Sequence, residues 1–407
     1  MSFSSEIPPE ARPAFRCDVV SGLLFGIYAG IVGPFILIIA RDKLGASALQ
    51  ISLLTAAPFV GNVAALWWAR HVHSRRKLPY VVAMGALARG LYLLMLWVTH
   101  TPGYIAVAAA ALMIEPMFFP AYATVMKDVY PDRCRGRLMG YVRAGVVLTT
   151  MGGAMLAGSL MPLVGYRLLF PLAALMGVLS SLNFSRIGTV ETPEPPATHQ
   201  SLLRSFDVFK EDRVFRLFVQ GVSIFGSGSM LAAPIVPLMQ VDVLHITEAW
   251  VGILATVTAA ISLLAYYAWG RLMDRYDPMV TLLWALVVAT GYRVVFIFVQ
   301  DVPTLLVASV CAGIGFSGFD LSWINWVMRF TPRDRIAQYT GVHFFIAGLR
   351  GITLPFLAVA LLRWLPDTGL HPMRAVFVIA TLLNLTGLVF TLRAARKAKA
   401  YAHLAHQ

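Results

Sequence analysis

The sequence predicts an all-α membrane protein with twelve transmembrane helices in two six-helix bundles related by a pseudo-twofold axis. Three observations predict it. Of the 407 residues, 58% are hydrophobic and only 13% charged, with a mean hydropathy of +0.72; apolar runs of 18 residues or more at that composition are membrane spans. One long polar stretch, 185–213, interrupts the apolar runs between residues 19 and 392. The stretches on either side of it are of similar length, and the second repeats the first.

Apolar runs read against turn residues give six helices before the polar stretch, at 19–40, 47–69, 79–98, 102–126, 139–164 and 168–184. Six more follow at 215–239, 247–269, 279–299, 303–328, 341–364 and 375–392. Each is long enough for about 30 Å of hydrocarbon at about 1.5 Å per residue. The chain is therefore expected to comprise an N-terminal segment (1–18), a first bundle (19–184), a linker (185–213), a second bundle (214–392) and a basic tail (393–407). Within the linker, Thr192-Pro193-Glu194-Pro195-Pro196 has a flexible composition, and Leu202, Leu203, Phe206 and Phe209 fall at the spacing of a short interfacial helix.

Basic residues set the expected orientation. With both termini cytoplasmic, inner segments carry 24 Lys and Arg and outer segments 5, the asymmetry of a cytoplasmic membrane protein. Topology thus accounts for the net charge of +13, and a nucleic-acid partner is not expected. The tail from Arg393 to Lys399 reads as an anchor for anionic lipids. Cys17, Cys134 and Cys311 lack the spacing of a metal site or disulfide framework. The run 19–40 is too long for a signal-peptide core, so no cleaved leader is expected.

The repeat keeps register. At an offset of 200, Phe15-Arg16 matches Phe215-Arg216, Phe25-Gly26 matches Phe225-Gly226, Pro34 matches Pro234 and Leu44 matches Leu244. Ser47 and Thr247 coincide as candidate caps of the second helix of each half. Near an offset of 201, Pro131 pairs with Pro332 and Gly140 with Gly341. Repeated halves are a common plan of transporters.

The loop after the eighth helix, Gly270-Arg271-Leu272-Met273-Asp274-Arg275, resembles the signature loop of the major facilitator superfamily. The matching loop of the first half, Ala69 to Lys77, keeps the basic cluster but lacks the glycine and the acid. The run Asp128-Val129-Tyr130-Pro131-Asp132-Arg133-Cys134-Arg135-Gly136-Arg137 is similar to the family's loop after the fourth helix. The resemblance implies alternating access, with a cytoplasmic gate at Gly270, Asp274, Arg275, Asp128, Arg133 and Arg137. It also implies that Asp274 and Arg275 meet the start of the eleventh helix and charges such as Asp334 and Arg335. The first, fourth, seventh and tenth helices would line a central cavity.

Six charges fall inside apolar spans: Arg89, Glu115, Arg143, Arg293, Asp320 and Arg350. Each costs about 2.5–3.5 kcal/mol at mid-membrane and so calls for a partner or a role. Arg143 and Arg293 stand near helix ends and are expected to snorkel to headgroups. Arg89 reads equally as half of a buried pair or as a direct contact. Glu115 and Asp320, beside helix-loosening Pro116, Pro120, Gly313, Gly315 and Gly318, are the proton-coupling candidates, at least one of them alternating between ionised and protonated forms. Pairing with Arg89 or Arg350 is the structural alternative. Arg350 reads as counter-ion to Asp320 or as a hold for an anionic group, and His343 as an interfacial histidine.

Tyr28, Phe119, Tyr122, Trp323 and Trp326, with Phe118, Phe316 and Phe319, are candidate aromatic cavity residues; Gln220 and Asn325 add polar contacts. The reading is a monomeric secondary transporter, without cofactor or metal, that exchanges a small molecule against protons. The cargo is expected to be amphipathic or lipophilic and exported. Import of a small anionic metabolite and a non-transporting sensor or assembly factor are the alternatives. No nucleophile–base pair marks an enzyme.

Overall fold

A computed structural model of the chain describes residues 8–72, 76–131, 134–188, 207–330, 336–365 and 371–404. Twelve of its helices are long and apolar enough to cross a membrane, and there is no strand among the described residues. The chain forms two compact units: Met1–Thr198 with Ile246–Thr256, and His199–His245 with Val257–Gln407.

In the first unit, α1 (Arg12–Asp42) starts with Pro13, whose missing N–H costs nothing in a first turn. It breaks between Val32 and Ile36, at Gly33-Pro34. α2 (Ala48–Val72) opens on a capping box, in which Gln50 N donates to Ser47 Oγ at 3.3 Å and Ser47 N to Gln50 Oε1 at 2.8 Å. α3 (Lys77–Leu96) tightens to 3₁₀ geometry from Leu91. α4 (Thr101–Val129) does so over Glu115–Phe118, between the two prolines that deprive it of backbone donors. α5 (Arg135–Val164) and α6 (Tyr166–Phe184) complete the set.

α1 packs mainly on α5 and α6, α3 on α6, and α2 on α4. Lipid tails supply no hydrophobic drive between helices, so close approach rests on small residues. Gly22, Gly26 and Gly30 form a spine at four-residue spacing on α1. A Cβ on Gly26 would strike Thr149 Oγ1 of α5, and one on Gly30 would strike the Thr150 carbonyl.

The opening turns of α8 (Glu248–Arg275) belong to the first unit. Gly252 abuts the Ala154 carbonyl, Thr256 Oγ1 donates to Met151 O at 3.3 Å, and Lys43 Nζ meets Glu248 Oε1 at 2.8 Å and Asp42 Oδ2 at 2.9 Å.

In the second unit, α7 (Arg213–Val243) is capped by Asp212 Oδ1, which accepts from Phe215 N at 2.8 Å. It breaks at Ala233-Pro234, 200 residues beyond the break in α1, so the repeat seen in sequence is a repeat of backbone form. α9 (Pro278–Phe298) is capped by Asp277; α10 (Val302–Phe330), α11 (Ile336–Trp364) and α12 (Pro372–Leu404) follow. α7 packs chiefly on α12, and α9 on α10 and α12. Phe215, Phe218, Phe225, Leu286, Trp323 and Tyr339 form the core.

Two boundaries differ notably from expectation, and one expected element is largely undescribed. α1 begins at Arg12 rather than near residue 19, because Ala14 and Phe15 already pack in the core. The twelfth helix continues to Leu404, since Ala394 and Ala395 are buried beside Phe215 and Tyr339. The interfacial helix expected over 201–209 lies largely outside the described residues, which contain the single turn Val208–Glu211.

Gly30→Val should cost about 1–3 kcal/mol by overpacking and lower the melting temperature in detergent, whereas Gly136→Ala, with open space around its Cβ, should not. The hydrogen bond to Glu248, aided by Asp42, holds the half-exposed Lys43 ammonium above the ordinary lysine value. Its contribution, about 0.2–1 kcal/mol for such a pair, is therefore complete below the unfolded lysine's pKa and lost as pH rises through the folded one. Lys43→Met should melt slightly below the parent at neutral pH, with the gap closing in strongly alkaline buffer.

Candidate functional site: charges held inside the two units

The first unit brings Arg89 and Glu115 together. Arg89, 7% exposed on α3, donates from Nη2 and Nε to Glu115 Oε1 of α4 at 3.0 and 3.2 Å. Its Nη1 reaches Ser181 Oγ at 2.9 Å, with Ser180 Oγ and the Gly177 carbonyl at 3.4 Å. The guanidinium also lies 4.6 Å from the Phe25 ring centre and 5.6 Å from that of Phe118. Glu115 Oε2 is buried without a hydrogen-bond partner. The 3₁₀ turn containing Glu115 follows from Glu115-Pro116, so the sequence feature that marked the acid also shapes the backbone beneath it.

The repeat supplies a control for this pair. Arg89 and Glu115 correspond, at an offset of 200, to Ala289 and Gly315. In the second unit those two residues also meet: a Cβ on Gly315 would lie 2.6 Å from the Ala289 N and Cα atoms. The contact between the third and fourth helices of a half is thus made by bare backbone in one unit and by a buried ion pair in the other.

Arg350 and Asp320 are not brought together. Asp320 is exposed on α10 and accepts from Tyr266 Oη at 3.0 Å. Arg350 Nε donates to Ile346 O at 3.4 Å, and Nη1 to Val222 O at 3.4 Å and to Ser223 O. Among the described residues it meets no carboxylate, so the counter-ion expectation is corrected.

Arg293 requires another correction. It is only 2% exposed and does not snorkel: Nη1 donates to Ala289 O at 2.6 Å, and Tyr292 and Phe316 cover the guanidinium at 5.2 and 5.3 Å. Position along a helix suggested an escape to headgroups, but the residue's face points into the bundle. Arg143 is exposed. His343 is buried rather than interfacial, stacked on Trp323 with ring centres 4.3 Å apart.

The aromatic candidates scatter. Tyr28 is buried against Phe25 and Tyr92, and Trp323, 6% exposed, is part of the second unit's core. Tyr122 packs on Phe118, Phe119 and Phe184, leaving Phe119 61% exposed. Gln220 is exposed, and Asn325 Nδ2 donates back to Leu321 O of its own helix at 2.7 Å. The side chain of Trp326 lies outside the described residues.

Of the gate residues, Asp128, Arg137, Asp274 and Arg275 are exposed and Gly270 is half-buried; Arg133 lies outside the described residues, as do Asp334 and Arg335. A groove of about 340 Å³ along α8 and α10 is lined by Ile261, Leu264, Ala265, Ala268, Trp269, Leu272 and Ile314. Its lining has no polar side chain beyond the Trp269 indole, whose N–H is engaged by the Ile314 carbonyl at 2.9 Å.

Asp18 was missed by the sequence reasoning. It is 3% exposed on α1, where its Oδ2 accepts from Tyr130 Oη at 2.8 Å. Burial, reinforced by Asp18, holds the Tyr130 phenol well above its usual range, so it stays a neutral donor. Beside it, Asn183 Nδ2 donates to Ser21 Oγ at 2.9 Å and Cys17 O at 3.0 Å.

Comparison with known proteins bears on all twelve helices. No curated protein sequence matches the chain. Among solved structures, a bacterial homologue of the human lysosomal transporter Spinster, inward-facing and unoccupied, superposes with a TM-score of 0.68 at 14% identity, covering 96% of this chain and 98% of that one. The nucleoside transporter NupG gives 0.67 at 12% identity, covering 95% and 99%. A bacterial metal transporter gives 0.65 at 12% identity, covering 95% and 99%. At such identities these likenesses show the fold alone. The family profile of the Major Facilitator Superfamily matches residues 19–226 and again 217–405, one match for each half of the repeat, and the chain belongs to that superfamily.

Proposed function

We propose that this protein is a proton-coupled secondary transporter of the cytoplasmic membrane, with Glu115 as the coupling acid. The observation that carries this reading is the substitution of an ion pair for a bare contact. Gly315 against Ala289 demonstrates that the fold can close these two helices without charge, whereas Arg89 and Glu115 bring two charges into the same position. Removing a pair of charges from water is costly and gives little net stability, so its presence asks for a use.

That use follows from the acid's two oxygens. Oε1 holds Arg89, while the buried Oε2 has no donor and is free to take a proton. Protonation turns a neutral pair into a lone cation. Arg89 retains Ser180, Ser181, the Gly177 carbonyl and two aromatic faces to hold it in place. The charge inside the first unit then depends on the proton gradient, which is what alternating access needs from a coupling site.

The basic-residue asymmetry supports an orientation with both termini in the cytoplasm. The aromatic rings beside the pair, Phe25 and Phe118, with Tyr122 packed on Phe118 and Phe119 on Tyr122, support an amphipathic cargo, and export is the direction proposed. A second reading, transport of a small anion, draws on Arg350.

Glu115→Gln in proteoliposomes should reduce uptake driven by a pH gradient to the rate seen without one, while exchange at equal pH persists. Asp320→Asn, exposed and without a cation partner among the described residues, should respond to the gradient as the parent does. A Glu115→Gln protein that still accelerates fully under the gradient removes Glu115 from the coupling role, and reversing the gradient reports the direction.

A further inference from the structure

We propose that Arg350 and Ser223 form an anion site within the second unit, which takes the carboxylate or phosphate group of a small organic cargo molecule. The inference deepens the transporter reading and rests on it only in calling the ligand cargo.

The argument begins with a charge that is held but not neutralised. Among the described residues, all the groups that accept from Arg350 are main-chain carbonyls, those of Ile346 on its own helix and of Val222 and Ser223 on α7. Carbonyls orient a guanidinium without cancelling its charge, and a lone cation within a span is costly. With Nε and Nη1 taken up, the Nη2 edge has no acceptor among the described residues. Ser223, whose carbonyl accepts from Nη1, also carries a buried hydroxyl with no hydrogen-bond partner among the described residues. An unused guanidinium nitrogen and an unused hydroxyl on a residue in contact with that guanidinium offer one donor to each oxygen of a two-oxygen anion.

The chain has made room for this arrangement. A Cβ on Gly226 would come within 3.0 Å of Arg350 Cζ and 3.1 Å of Nη2. At the equivalent place in the first unit, Gly26 and Gly30 seat α1 directly against Thr149 and Thr150 of α5, and Thr150 is the repeat mate of Arg350. What serves as a helix-packing seat in one half houses a cation in the other. α7 correspondingly packs less on α11 than α1 does on α5. Arg293 offers no rival site, because it is enclosed between Tyr292 and Phe316.

The test is thermal stabilisation of the purified full-length protein in detergent, at fixed ionic strength. The probes are acetate, succinate, benzoate, inorganic phosphate and glycerol phosphate, with choline and glycerol as cationic and neutral controls. An organic anion should raise the melting temperature by about 2–4 °C or more near saturation. Arg350→Gln should abolish the shift and Ser223→Ala should weaken it, while Gly136→Ala in the other unit, with open space around its Cβ, should leave it intact. Should Arg350→Gln fail to fold, Gly226→Ala, which displaces the guanidinium, is expected to weaken the shift.

The proposal is overturned if no anion stabilises the parent more than the Arg350 variant. It is also overturned if only a short-chain phosphatidate does so, since the site would then belong to lipid. Counterflow separates the two readings. An anion that binds but is never exchanged sinks the transport reading and leaves the site standing; a neutral cargo exchanged equally by parent and Arg350→Gln sinks the site alone.

Discussion

Hydrocarbon offers neither water nor counter-ions, so every charge inside a span must be answered by the protein itself. Three arginines show three answers. Arg89 is fully satisfied by a carboxylate, two hydroxyls, a carbonyl and two aromatic faces. Arg293 is sealed by aromatic rings and a single carbonyl, with its Nε left unpartnered. Among the described residues Arg350 is held only by carbonyls, and its Nη2 has no acceptor. The same side chain in the same solvent thus becomes half of an ion pair, a capped residue or an open cation according to what the facing helix presents.

What the facing helix presents is set by small residues. Glycines on α1 and α7 let backbones approach to contact distance, and that closeness fixes which side chains on the opposing helices share a plane. Where a position on one half is glycine or alanine, its repeat mate is free to be something larger, provided the opposite helix yields. The exchanges Ala289 for Arg89 and Gly315 for Glu115 obey this rule, and at Arg350 the repeat mate is the small polar Thr150. Duplication therefore gives two versions of each contact, and the one that departs from simple packing is where a role beyond folding is to be sought.

This explains what could be read in advance. The spans and the distortion at Glu115-Pro116 were legible, because proline and apolar length act locally, whereas Pro34 and Pro234 were read as repeat mates and not as the breaks they prove to be. The pairing of Glu115 with Arg89 was legible as an alternative, since both lie mid-span on neighbouring helices. Which way a residue faces was not. Arg293 and His343 have sequence positions that suit an interface, and Tyr28 and Trp323 positions that suit a cavity, yet all four are turned into the packing. With apolar residues on every face, a buried helix has no amphipathic stripe from which rotation could be read. Asp18 escaped notice for a different reason: it falls just before the first long apolar run, in a segment assigned to water. The apolar Ala14 and Phe15 behind it, together with Pro13 opening a first turn, were the available signals that the helix had already begun.

The inequality of the halves has a consequence for how transport would be driven. A proton or an anion shifts an equilibrium between states only by its differential interaction with each. Here the protonatable pair lies in one unit and the open cation in the other, and neither has a charged mate at the repeat-equivalent position. A proton on Glu115 adds positive charge to the first unit, while an anion at Arg350 would remove it from the second. The two events are thus opposite in sign and separate in place, which lets one be exchanged against the other without competing for the same atoms.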